Sequence, residues 1–219
     1  ALYALIFLFV LFFDSATAQL DTKHFIPPLF ARADEATGSG EDIYLIISTP
    51  QTTPIDVVVT DGAGTELAFS PVTVSNAAPV FLSLSSDAGV GKGTATKFLI
   101  DNSQLATVVS DEGLILTSQK AFFVSIRVDE SAQAASLTSK GTAGLGKEFR
   151  TGHIYNDGAA TDLKAHVISF MATEDNTNVT VSEFGTVDFE NVSEVGGEIN
   201  VTLNEGESYV LAAYVDGAA

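Results

Sequence analysis

Short runs of β-branched and aromatic residues, separated by turn-forming residues, repeat along nearly the whole chain. They fall at 43–47 (IYLII), 55–59 (IDVVV), 72–74 (VTV), 80–84 (VFLSL), 105–109 (LATVV), 114–116 (LIL) and 122–128 (FFVSIRV). Such side chains suit a pleated, half-buried surface, and clusters of Gly, Asp, Asn, Ser and Pro between them supply the turns. Asp61-Gly62 and Asp157-Gly158 are turn dipeptides that tolerate positive φ. No stretch of helical length carries apolar residues at the 3.6-residue spacing with caps. The pattern predicts about fourteen strands, little helix, and an all-β fold of antiparallel sandwich type.

The chain also matches itself. Displaced by 124 positions, Lys23-His24-Phe25 falls on Lys147-Glu148-Phe149, and Ile43–Ile47 falls on Val167–Met171. The same register carries Thr49 onto Thr173, Thr53 onto Thr177, Ile55 onto Val179 and Val57 onto Val181. After a five-residue insertion, Val72-Thr73-Val74 meets Val201-Thr202-Leu203, and Val80-Phe81-Leu82 meets Tyr209-Val210-Leu211. An internal repeat predicts tandem β-sandwich units, residues 19–146 and residues 147–219. The second is incomplete because it lacks counterparts of residues 85–146. Phe25 and Phe149 are expected to be buried at equivalent places.

Residues 1–18 read as a signal peptide. An apolar run from Leu2 to Phe13 ends in the small-x-small triplet Ala16-Thr17-Ala18, and it is too short to span a bilayer. Cleavage is expected between Ala18 and Gln19. The sequence starts without Met and closes on a strand-like run, so it is expected to be the amino-terminal part of a larger exported protein. Removing the leader takes Asp14 with it and leaves 27 acidic against 10 basic residues. That balance opposes phosphate backbones and anionic lipid, which argues against nucleic acid as a partner, and no membrane span is expected after the leader. Cysteine is absent, yet some 200 residues can bury an adequate core without disulfides. A bacterial surface protein fits this composition, and Asn178, Asn191 and Asn200 are then incidental sequons.

Candidate chemistry is sparse. Gly89-Val90-Gly91-Lys92-Gly93-Thr94 resembles a phosphate loop, but Ser86 and Gly93 stand where such a loop needs Gly and a hydroxyl. The three histidines, His24, His153 and His166, show no metal-ligand spacing and no nucleophile elbow accompanies them. His153 is expected half-buried in a strand-like run. Acidic pairs at Asp34-Glu35, Glu41-Asp42, Asp111-Glu112, Asp129-Glu130, Glu174-Asp175 and Glu205-x-Glu207 read as solvated turns rather than Ca²⁺ loops. Ser136–Gly146 reads as a Gly/Ser/Thr-rich joint between the units. No catalytic, cofactor-binding or metal residue is assigned, and no cofactor is expected.

The stretch Gly113–Arg127 (GLILTSQKAFFVSIR) resembles the G-I-x-I-x-S-x-x-P-v-x-V core of the amino-terminal domain named after the IgG Fc-binding protein. Ser136–Gly141, followed by Gly146–Asn156 (GKEFRTGHIYN), is similar to the form found in large exported Bacteroidetes surface proteins associated with gliding motility or adhesion. Ala121 stands where Pro is usual, within a turn. The resemblance implies a β scaffold rather than a transferable site, and the domain's name does not by itself imply Fc binding. The expected role is a non-enzymatic, secreted cell-surface module contributing to adhesion or surface-polymer binding, with an extracellular protein or polysaccharide surface as partner. The alternatives are a structural stalk or filament unit, and a carbohydrate-binding accessory domain of a secreted hydrolase.

Overall fold

In a computed structural model of the chain, the described residues are 19–30, 42–84, 97–130, 133–152, 165–193 and 197–214. The signal-peptide segment, the Gly89–Thr94 loop, His153 and Asp34-Glu35 lie outside them. Among the described residues the fold is all-β, as the alternation predicts. The strands are β1 (Asp21–Ile26), β2 (Leu29–Phe30), β3 (Asp42–Ser48), β4 (Ile55–Asp61), β5 (Val72–Val74), β6 (Val80–Ser83) and β7 (Leu99–Ile100). After them come β8 (Val108–Val109), β9 (Leu114–Glu130), β10 (Gln133–Thr138), β11 (Ala165–Met171), β12 (Thr177–Val181), β13 (Ile199–Leu203) and β14 (Ser208–Tyr214). Pairing is antiparallel except for the short parallel contact between β2 and β7.

β9 organises the amino-terminal half. Its first part, from Leu114 to Thr117, lies between β1 and β4; its second, from Phe123 to Asp129, lies between β3 and β10. With β5 beside β4 and β6 beside β3, seven strands share one continuous ladder system. Two sheet portions meeting along one long strand can fold over a common core. Period two holds along the strand: Leu114, Leu116, Phe122, Val124 and Ile126 all point inward and are buried. They pack with Ile26, Ile43, Leu45, Ile47, Val57, Val59, Val72 and Val74.

The sequence suggests two strands here, at 114–116 and 122–128; the structure joins them. Thr117–Ala121 carries no apolar alternation, yet it continues the ladder where β9 passes between sheet portions. Ser118 Oγ donates to the Asp56 carbonyl (2.7 Å) and Thr49 Oγ1 donates to the Ala121 carbonyl (2.9 Å). Ala121 is therefore a strand residue rather than a turn residue. The expected joint at Ser136–Gly146 is likewise structured at its start. β10 pairs with β9 over Gln133–Thr138, and Ser139 and Gly141 are buried.

The carboxy-terminal half repeats two pairings of the first. β11 runs antiparallel to β14 as β3 does to β6, and β12 runs antiparallel to β13 as β4 does to β5. The detailed phase differs from the ungapped sequence match. Leu45 faces Leu82 across the ladder, and Ile168 faces Leu211. The 124-residue displacement, however, lays Leu45 on Ser169. Ile168 and Phe170 pack on the second cluster, with Tyr209, Leu211, Ala213 and Leu203, whereas Ser169 Oγ reaches the Pro28 carbonyl at 2.6 Å. A step of one residue exchanges the two faces of a strand, so β11 sits one place out of phase with that alignment.

The halves are joined through more than the chain. β8 comes from the amino-terminal side yet pairs with β14, making the sheet β11-β14-β8. β14 is consequently buried on both faces: Tyr209, Leu211 and Ala213 face one cluster, while Val210 and Ala212 pack with Ile100, Leu105 and Val109. Ala106 N donates to the Val210 carbonyl at 2.9 Å, and Asn191 Nδ2 donates to the Asn102 carbonyl at 2.8 Å. Gly62 touches Gly206 so closely that a Cβ at Gly62 would lie 2.6 Å from the Gly206 carbonyl oxygen. The positive φ expected around Asp61-Gly62 belongs to Gly64 (φ 80°).

Candidate interaction surface

While β3 sends Ile43, Leu45 and Ile47 inward, alternation leaves Tyr44 and Ile46 on the opposite, outer face. Phe81 on β6 stands across from Ile46, and Arg127 on β9 stands across from Tyr44. Phe81 is 66% exposed, the counterpart of an arrangement in which its neighbours Val80 and Leu82 take the core side. Tyr44, Ile46, Phe81 and Arg127 line a shallow depression of about 350 Å³. The depression thus places aromatic and aliphatic contact area next to a planar, positively charged guanidinium.

Histidine and serine do meet, but deep inside. His24 is fully buried; its Nε2–H donates to the Phe122 carbonyl (3.0 Å), which leaves Nδ1 to accept from Ser139 Oγ (2.9 Å). Ser139 Oγ in turn accepts from Gly141 N at 3.2 Å. Asp21 binds both the backbone N and the hydroxyl of Thr142. These bonds fasten the segment after β10 onto β1 and β9, and burial depresses the His24 pKa, favouring the neutral ring. A nucleophile needs access to substrate, and here the serine hydroxyl is sealed and committed to the ring, so the trio is a structural clamp.

Two of the acidic pairs, Glu174-Asp175 and Glu205-x-Glu207, resolve into turn chemistry, whereas the side chains of Glu41-Asp42 and Asp129-Glu130 lie outside the described residues. Asp175 Oδ1 accepts from Glu205 N, Glu207 Oε2 accepts from Asn204 N, and Glu205 pairs with Lys23 at 2.8 Å. Among the described residues no group of three or more His, Asp or Glu is placed to hold a metal ion. Asp111-Glu112 is different. Asp111 pairs with Lys97 at 2.6 Å, with the buried Asp61 carboxylate 3.8 Å from the same ammonium. Glu112 Oε2 is buried without a partner. Burial, reinforced by Asp111 and Asp61 against the opposing pull of Lys97, pushes its pKa up to about 7. Nothing in the dipeptide signals this, because Lys97 and Asp61 arrive from distant parts of the chain. Phe25 is half-buried beneath the Lys23 ammonium, 4.5 Å from the ring centre, and Phe149 is 67% exposed. The expected burial of both fails.

Residues 134–217 match the family model described as IgGFc binding protein. The family resemblance holds over that segment. It runs from β10 to β14 and includes the Ser136–Gly141 and Gly146–Asn156 stretches, whereas the similar stretch on β9 lies outside it. Segments of the IgGFc-binding family are binding modules, typically extracellular. Among the described residues no helix is long and apolar enough to cross a membrane. No curated protein and no solved structure matches the chain.

Proposed function

We propose that the chain is a non-enzymatic module of an exported cell-surface protein that contributes to adhesion by binding an extracellular protein or polysaccharide. The observation that carries this reading is the IgGFc-binding family match over β10–β14. The outer face of β3, β6 and β9 supplies a place for contact, with Phe81 as the apolar anchor and Arg127 as the polar one. With 27 acidic against 10 basic residues after the leader, the module's negative charge opposes nucleic acid and anionic lipid. Export through the leader of residues 1–18 and the division at 146/147 belong to the same proposal.

The test uses residues 19–219 immobilised on a sensor surface. Immunoglobulin G, a neutral glucan and an acidic polysaccharide serve as probes. One probe is expected to bind, and Phe81→Ser to weaken it at least tenfold with an unchanged melting temperature, because Phe81 faces solvent. Absence of binding to all three, or binding indifferent to Phe81→Ser and Arg127→Ser, overturns the assignment to this face.

A further inference from the structure

The pair β12 and β13 turns Val179, Val181, Val201 and Leu203 toward the second cluster and leaves Asn178, Thr180, Asn200 and Thr202 exposed on its outer face. Their register sets Asn178 opposite Thr202 and Thr180 opposite Asn200. Each threonine hydroxyl donates across the ladder to an amide oxygen: Thr180 Oγ1 to Asn200 Oδ1 at 2.7 Å, and Thr202 Oγ1 to Asn178 Oδ1 at 2.8 Å. These bonds staple the two strands. They leave both amide Nδ2 groups, two N–H donors apiece, without a partner among the described residues. The counterpart pair in the first half shows that such a staple does not require an amide. Across β4 and β5, Thr73 Oγ1 donates to Asp56 Oδ1 at 2.6 Å, also between exposed side chains. Asparagine is a poor strand residue, so Asn178 and Asn200 oppose the local conformation without adding to the core. What they add over a carboxylate is a set of uncharged, outward hydrogen-bond donors. The face also lies within residues 134–217, the segment that matches the binding family, whereas the depression at Tyr44, Ile46, Phe81 and Arg127 lies outside it.

We propose that the outer face of β12 and β13 is a second contact site, and that it takes an uncharged, hydroxyl-rich polysaccharide. A sugar hydroxyl both donates and accepts. It can receive an Nδ2–H from Asn178 or Asn200 and donate to a lone pair left on the Thr180 or Thr202 hydroxyl. Side chains on this face recur about 7 Å apart along each strand and about 5 Å apart between strands, a flat array that the repeated hydroxyls of a polymer can follow. Charge narrows the ligand further. Exposed carboxylates bracket the array, Glu198 beyond Asn200 at one end and Glu174 and Asp175 at the other. An anionic chain meets repulsion there, and a neutral one does not. Single hydroxyl contacts are weak, and a polymer compensates by engaging several sites at once. The inference rests on the polysaccharide branch of the proposed function and adds a contact to the Phe81 face.

The test measures binding of residues 19–219 to dextran and hydroxyethyl cellulose, to the carboxymethylated form of each, and to immunoglobulin G. Asn178→Thr with Asn200→Thr deletes the amide donors while keeping strand propensity and cross-strand hydroxyl pairing. Asn178→Asp with Asn200→Asp copies the Asp56–Thr73 staple instead. At least one neutral polymer should bind, and both double variants should weaken it about tenfold, the loss expected for two hydrogen bonds. The threonine pair should leave the melting temperature unchanged. The carboxymethylated form of the bound polymer should bind more weakly by about the same factor. Neutral binding that ignores both double variants overturns this site; if Phe81→Ser still weakens it, the proposed function stands without this contact. A loss confined to the aspartate pair reports added charge and overturns the donor role. Equal binding of the carboxymethylated form overturns the choice of an uncharged ligand. Binding of immunoglobulin G alone overturns the polysaccharide assignment and leaves a protein-binding module. Binding of no probe overturns this site and the proposed function together.

Discussion

The two halves share strand pairings and differ in closure. In the first, β9 touches β1, β3, β4 and β10 and places five apolar side chains at the centre of one core. In the second, a hairpin-like pair and a three-strand sheet meet over a smaller cluster whose outer members Ile168, Phe170, Val179 and Val181 are half-buried. The difference teaches that hairpins alone do not close a β-sandwich. The connecting strand does, because it carries the side chains that both sheet portions need.

The largest expected effect lies in side-chain truncation. Leu45→Ala removes a fully buried side chain from the closed core and should cost about 3 kcal/mol. Ile168→Ala, at the structurally equivalent place, should cost about 1 kcal/mol, since its side chain already meets solvent. Urea denaturation compares them. Equal costs would break the contrast and show the second core to be as closed as the first.

Next comes the seam between the halves. A Cβ on Gly62 would lie 2.6 Å from both the Glu112 and the Gly206 carbonyl oxygens, and backbone cannot swing aside as a side-chain tip can. Gly62→Ala should therefore cost about 2 kcal/mol and split thermal melting into two steps. Gly64→Ala is the control. Its φ of 80° carries a conformational cost of about 1 kcal/mol, but it meets nothing within 4 Å, so melting should stay single.

Side-chain pattern made the strands legible but not their connections. The runs at 43–47, 55–59 and 72–74 became β3, β4 and β5 because alternation there is local and one face is buried. β9 reads as two strands because Thr117–Lys120 is polar, and a strand crossing between sheet portions needs hydrogen bonds more than burial. The phase of β11 escapes the sequence alignment for a related reason. Ser169 matches nothing in Leu45 chemically, and β14 is buried on both faces, so composition could not say which face of β11 was inward. Of the surface features, Phe81 and Arg127 are visible as residues only; their meeting depends on β3, which pairs with β6 on one side and with the far more distant β9 on the other. Glu112 owed its environment to Lys97 and Asp61, which no local motif announces.

A smaller effect divides by pH. Burial lowers the His24 pKa below 6.5, so the folded chain binds fewer protons there than the unfolded chain, and stability should fall as pH drops below 6.5. Glu112 acts in the other sense. Its carboxyl ionises at about 7 when folded and near 4.5 when unfolded, so stability should fall as pH rises from 4.5 to about 7. Partial exposure screens the Glu112 contribution to roughly 1 kcal/mol. Glu112→Gln should remove that slope and raise the melting temperature at pH 8, and His24→Gln should remove the acid-side loss while weakening the clamp. Melting curves from pH 4 to pH 9 check both. A Glu112→Gln profile identical to that of the unmodified chain would remove Glu112 from the seam's electrostatics.

The smallest effect contrasts two buried serines, one in each half. Ser139, in the first, is held by the His24 ring and by Gly141 N, so its hydroxyl is satisfied on both sides. Ser208, at the start of β14, is fully buried and its Oγ has no hydrogen-bond partner, although its backbone pairs with Met171 and Val109. A buried hydroxyl without a partner carries the desolvation cost with nothing returned, whereas a paired one recovers it. Ser139→Ala should therefore destabilise by about 1–2 kcal/mol, since it also strips His24 Nδ1 of its donor. Ser208→Ala should be neutral or stabilising by about 0.5 kcal/mol. Both variants keep the backbone ladder, so chemical denaturation at one pH isolates the hydroxyl. If Ser208→Ala instead costs as much as Ser139→Ala, its hydroxyl has found a partner, and the second half is better satisfied at β14 than its burial pattern suggests.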